Sequence, residues 1–179
     1  MKGSSSFGSI LNGYEDQDIR KLVEQLHGLC KDKNLTLAVA ESMTGGLISS
    51  EITALPGGSG FFLGGVVCYQ AKTKYLLVGV NPKTISEFGA VSKEVTMEMA
   101  VGIKKRLQAE IGLAVTGVAG PGPGVFPNFG LAGSVYTALV VGDKSVVKQF
   151  HFEGSRDEVR LAAVRASLRL LVIMVREGN

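Results

Sequence analysis

Apolar residues along this chain alternate between helical spacing and short unbroken runs, and the order of the two predicts a fold. Ile19, Leu22, Val23 and Leu26 fall on one face of a helix. Residues 35–40, apolar except for Thr36, have the pattern of a buried strand. Leu47, Ile48 and Ile52 return to helical spacing and stop before Pro56-Gly57-Gly58. A second strand is predicted over Gly64–Tyr69, and Tyr75–Val80 fits either a short helix or an extended run. Ser92 stands as an N-cap before a stripe of Val95, Met99, Ile103 and Leu107. A strand over Ile111–Thr116 leads into a glycine-rich loop reaching Gly124. Ser134–Val141 and Ser145–Phe152 bracket Gly142-Asp143, which predicts an antiparallel hairpin. Ser155 and Glu158 have capping-box spacing, and a long helix follows to about Arg176.

This order of elements predicts an α/β fold, a three-layer α/β/α sandwich with a mixed, mostly parallel sheet. With 179 residues and 45% hydrophobic content, a single domain over residues 15–179 is expected to hold its own core, behind a polar leader over residues 1–14. The leader lacks the apolar centre of a signal peptide, and no run approaches ~18 apolar residues. Cys30 and Cys68 lie outside any C-x-x-C spacing, which fits a reducing cytosol and excludes a disulfide framework. The net charge of +3 is mild; Lys104-Lys105-Arg106 reads as a solvated helix face, with no interleaved aromatics to stack on bases. A cytoplasmic protein with no nucleic-acid or membrane partner is therefore expected.

Chemistry concentrates at Ala40-Glu41-Ser42-Met43-Thr44-Gly45-Gly46, where a charged residue and a serine directly follow an apolar strand. Strand ends of this kind gather unpaired N–H groups that bind anions and position nucleophiles. The two histidines, His27 and His151, fall inside a helix and a strand, so a Ser-His-Asp triad and a histidine metal site are both disfavoured. A base for Ser42 is then a lysine, whose pKa falls from ~10.4 toward neutrality when burial disfavours the ammonium. Lys72 and Lys74 both follow the second strand, and Tyr69 beside them carries a hydroxyl able to relay a proton or hold a substrate oxygen. Thr44-Gly45-Gly46 and Thr116-Gly117 each end a strand; if those strands are parallel neighbours, both offer donors to a phosphate or oxyanion at one sheet edge. Arg156 beside a helix N-terminus sits where the dipole favours an anion, which suits a phosphate or carboxylate ligand.

Taken together, these motifs resemble the CinA C-terminal family of stand-alone nicotinamide-nucleotide amidases. The shared motifs are residues 40–46, Pro56 to Tyr69, Lys74 with Val78-Gly79-Val80, Gly89 to Ser92, Ala114 to Pro121, and Gly154 to Asp157. The resemblance implies hydrolysis of the carboxamide of nicotinamide mononucleotide to nicotinate mononucleotide and ammonia, with no metal or organic cofactor. It implies Ser42, Tyr69 and Lys74 as the catalytic set, with Arg156 at the site. Glu41 would orient Lys74 or a ribose hydroxyl, and Thr44, Gly45, Gly46, Thr116 and Gly117 would bind the nucleotide. The chain departs from the family pattern at Met43, at Gln70 and over 122–134, where a longer loop replaces a Lys-Pro pair. A homo-oligomer acting on a small-molecule nucleotide is expected. The alternative readings are a nucleotide-binding module without catalysis in a competence- or damage-linked complex, and a purely structural homo-oligomer.

Overall fold

The computed structural model describes residues 18–120 and 131–177. The leader expected over residues 1–14 and the loop over 122–129 lie outside the described residues. In chain order the elements are α1 (Ile19–Lys33), β1 (Leu37–Glu41), α2 (Leu47–Thr53), β2 (Phe62–Val67), α3 (Ala71–Val78), α4 (Pro82–Phe88), α5 (Lys93–Leu107), β3 (Ile111–Gly117), β4 (Ser134–Val141), β5 (Lys144–His151) and α6 (Arg156–Glu177). Tyr75–Val80, open between two readings in the sequence, is the end of a helix and its exit.

Local chemistry sets the helix ends. Ser92 Oγ accepts from Val95 N at 3.3 Å to start α5. Ser155 and Glu158 form the reciprocal capping box at the head of α6, with Ser155 N donating to Glu158 Oε2 at 2.7 Å and Glu158 N donating to Ser155 Oγ at 3.4 Å. The β4–β5 hairpin turns through Gly142, whose φ of 56° suits a tight two-residue loop.

The sheet order is β2-β1-β3-β4-β5. β1 runs parallel to both β2 and β3, and β4 is antiparallel to both its neighbours, so it alone of the five is reversed. The two faces differ in bulk. Leu37, Val39, Ile111, Leu113, Val115 and Leu139 pack against α1, α2 and α6. Ala38, Ala40, Ala114 and Ala138 face α5 and Val78 of α3. Full burial of a leucine-sized side chain contributes about 1.5–3 kcal/mol. The α1/α6 layer therefore carries more of the hydrophobic stabilisation. The alanine face exchanges bulk for proximity: a Cβ on Gly112 would overlap the Ala100 carbonyl of α5. The short α4 buries no residue of its own and is pinned by Glu98, which accepts from Asn81 N and Thr84 Oγ1, each at 2.7 Å. Among the described residues, no helix is long and apolar enough to cross a membrane.

Candidate active site

Parallel pairing brings three strand ends to one edge. Glu41 pairs with Val67 on one side and Val115 on the other. Just beyond, Ser42 N donates to Val115 O at 3.0 Å and Cys68 N donates to Glu41 O at 2.8 Å. Ser42, Tyr69 and Thr116-Gly117 are thereby gathered at the carboxyl ends of β1, β2 and β3, the place where open α/β sheets bind ligands.

Lys74 enters this edge from the first turn of α3. It is 1% exposed, and its Nζ donates to Ser42 Oγ at 3.0 Å, to Cys68 O at 2.8 Å and, more weakly, to Tyr69 O at 3.5 Å. Burial pushes its pKa below the usual lysine range, and the Cys68 thiol opposes this only as a lesser influence. Lys72, two residues earlier, is exposed. Geometry thus selects Lys74 from the pair that spacing left open. Tyr69 and Lys74 do not share a helix face; Tyr69 lies in the loop ahead of α3, where Lys74 meets its backbone carbonyl, not its hydroxyl.

The turn after Ser42 is held from two sides. Inside, the fully buried Glu41 carboxylate accepts four hydrogen bonds from the head of α2. Gly46 N and Ile48 N reach Oε2 at 3.0 and 3.1 Å, and Ser49 N and Oγ reach Oε1 at 2.9 and 2.7 Å. Glu41 is placed as an internal cap, and none of these contacts is with Lys74. Gly45 and Gly46 adopt φ of 64° and 98°, which glycine reaches without strain. Gly45 N closes the turn onto Ser42 O at 3.1 Å. Of the donors expected at Thr44–Gly46, two are therefore occupied by the protein itself. The N–H groups of Met43 and Thr44 have no partner among the described residues, and neither has the buried Thr44 Oγ1.

From outside, Arg160 of α6 lies across the same turn. Its Nε donates to Met43 O at 3.1 Å and its Nη2 to Thr44 O at 3.0 Å. Sequence reasoning missed this residue, although it lies one helical turn beyond Arg156 and hence on the same face. Arg156 itself donates from Nη2 to Tyr69 Oη at 2.9 Å, both side chains standing exposed at the rim.

The remaining expected residues have other placements. Thr116 is buried on the α5 face, its hydroxyl directed to Ala90 O at a long 3.5 Å. Gly117 provides clearance: a Cβ there would stand 2.5 Å from Ser134 O and 2.8 Å from Met43 Sδ. His27 stacks on Phe61 at 5.5 Å, beside the opposite end of β1, and His151 closes β5; neither contacts Ser42 or Lys74. A groove of about 670 Å³ between α3 and α5, bordered by Val78, Met97 and Val101, contains none of the site residues.

Comparison with known proteins gives the family and the fold. The family model of the CinA C-terminal domain matches residues 19–175. A Clostridioides difficile protein provisionally named as competence-damage inducible is 46% identical over 154 residues, covering 86% of this chain and 36% of its own length. A CinA-like protein of Desulfotalea psychrophila is 40% identical over 167 residues, covering 93% of this chain and 39% of its own length. The chain thus spans well under half the length of these relatives. Among solved structures, a competence or damage-inducible protein from Enterobacter asburiae superposes with a TM-score of 0.84 at 31% identity, covering 89% of this chain and 99% of that one. A competence/damage-inducible protein from Agrobacterium tumefaciens gives 0.83 at 33% identity, covering 90% and 97%. On the match across nearly all its described length, the chain belongs to the CinA C-terminal domain family.

Proposed function

We propose that the chain is a serine–lysine amidohydrolase that deamidates nicotinamide mononucleotide to nicotinate mononucleotide and ammonia. The observation that carries the reading is the 3.0 Å contact between Lys74 Nζ and Ser42 Oγ at a buried site where the ammonium is disfavoured. A neutral amine has two N–H groups and one lone pair. With Cys68 O and Tyr69 O accepting those N–H groups, the lone pair is left for the Ser42 hydroxyl proton. Lys74 takes that proton as Ser42 Oγ bonds to the carboxamide carbon, and the C=O electrons move onto oxygen. The N–H groups of Met43 and Thr44, which follow Ser42 and have no partner among the described residues, are the donors offered to the developing oxyanion. Collapse expels ammonia, which carries away the proton from Lys74 and leaves a serine ester. Water, deprotonated by the same lysine, then cleaves the ester to the acid and restores Ser42. Arg156, paired with Tyr69 at the rim, offers its guanidinium to the nucleotide phosphate.

The test is incubation of the purified protein with nicotinamide mononucleotide, with ammonia and the acid product measured, beside Ser42→Ala. Turnover by the wild type, and its loss in a variant of unchanged melting temperature, is the expected result. Turnover persisting in Ser42→Ala would sink the serine mechanism. Binding without ammonia release from the wild type would favour the nucleotide-binding module.

A further inference from the structure

We propose that Arg160 is the positioning residue of the oxyanion site, acting through the two peptide groups that follow the nucleophile; this rests on Ser42 being that nucleophile. The Met43 carbonyl and the Thr44 N–H belong to one peptide plane. In a trans peptide they point in opposite directions. The hydrogen bond from Arg160 Nε to Met43 O therefore fixes where the Thr44 N–H points. The next plane joins the Thr44 carbonyl to the Gly45 N–H in the same way. Arg160 Nη2 holds that carbonyl, and the Gly45 N–H closes the turn onto Ser42 O. One guanidinium, with its rigid fork of donors, thus sets a donor that has no partner among the described residues and the turn that presents it. A cation on the carbonyl also withdraws electron density and makes the N–H on the far side a stronger donor.

Three details separate this from a general stabilising contact. The ion pair from Arg160 Nη1 to Asp157 is solvent-exposed on the carboxylate side, where such pairs are worth little. The head of α2 is already satisfied by Glu41, so the turn does not need Arg160 to cap the helix. The space is reserved as well: a Cβ on Gly45 would come within 3.3 Å of Arg160 Nη2.

The experiment follows two reactions in the full chain: turnover of nicotinamide mononucleotide, and phosphonylation of Ser42 by a fluorophosphonate probe read by intact mass. Both pass through an oxyanion at the same donors. Removing an oxyanion donor outright costs about 10²–10³ in rate, so losing its positioning residue in Arg160→Ala is expected to slow both reactions by about ten- to a hundredfold. KM should stay within about twofold, since the loss belongs to the transition state. The pH midpoint set by Lys74 should not move, and added methylguanidinium should restore rate. Arg160→Lys, whose ammonium lacks the planar fork that spans both carbonyls, should be intermediate, and it decides the matter if Arg160→Ala does not fold. Labelling of Arg160→Ala at the wild-type rate, or a loss confined to KM, would overturn the proposal while leaving Ser42 as the nucleophile. A wild type that the probe does not label would remove the nucleophile, and this proposal with it.

Discussion

Glu41→Gln is a change of one atom at a site where that atom decides the outcome. Each carboxylate oxygen accepts two hydrogen bonds, one pair from Gly46 N and Ile48 N, the other from Ser49 N and Oγ. A carboxamide offers one accepting oxygen. Turned toward Gly46 and Ile48, its NH₂ group confronts two N–H donors; turned toward Ser49 it confronts one, since the Ser49 hydroxyl can reverse and accept. Hydrogen bonds to a charged partner contribute about 1.5–3 kcal/mol each and neutral ones about 0.5–1.5, so one lost bond and two weakened ones amount to about 3–6 kcal/mol. An amide is less costly to bury than a carboxylate, which offsets part of this and brings the expected loss to about 3 kcal/mol. For a domain of this size each kcal/mol moves the melting temperature by about 2–4 °C, so a fall of about 6–12 °C is expected. Thermal and urea unfolding measure it, and the fraction that remains folded should keep most of its affinity for nucleotide. A melting temperature unchanged within about 2 °C, together with weakened nucleotide binding, would refute the capping role. It would return Glu41 to the substrate-binding role that the sequence suggested.

Two further variants probe the site through stability. Lys74 carries a folded-state pKa below its unfolded value, so the unfolded chain binds more protons and wild-type stability climbs with pH between the lowered value and about 10.4. Lys74→Met lacks this slope: its advantage over wild type should be largest at the acid end of that window and shrink as pH rises, as read by urea titrations, and a difference independent of pH would refute the buried-lysine account. Gly117→Ala places a methyl against Ser134 O and Met43 Sδ, so it should lower stability by about 1–3 kcal/mol and reduce turnover through the displaced Met43 turn; an unperturbed melting temperature would show that the loop yields freely.

The strands and the large amphipathic helices were legible because their buried faces are apolar. Residues 134–141 in particular form a strand with the boundaries read from the sequence. Other elements escaped for identifiable reasons. The core-facing positions of α3 are Lys74 and Val78, and a buried lysine removes the apolar stripe that would have announced a helix. α4 buries nothing, so hydrophobic spacing had nothing to detect. At the site, elimination of the histidines pointed to a lysine as the partner of Ser42, and the fold sets Lys74 rather than Lys72 beside its hydroxyl. The clamp by Arg160 joins residues separated by 117 and 116 positions, and no local pattern encodes such a docking. Glu41 was visible as an anomaly, and its partners, the amides of Gly46, Ile48 and Ser49, were not.

The separation between those clamp residues has a consequence for the newborn chain. Ser42 and Lys74 are only 32 positions apart and leave the ribosome close together, whereas the arginine that fixes the turn follows much later, in α6. Domains fold as units as synthesis proceeds at about 5–20 residues per second. On the proposed mechanism, a growing chain holds nucleophile and base for several seconds before its hydrolytic power is assembled. Until α6 is made, such a chain lacks the arginine that orders the turn, so its reactivity is expected to stay low although Ser42 and Lys74 are both present.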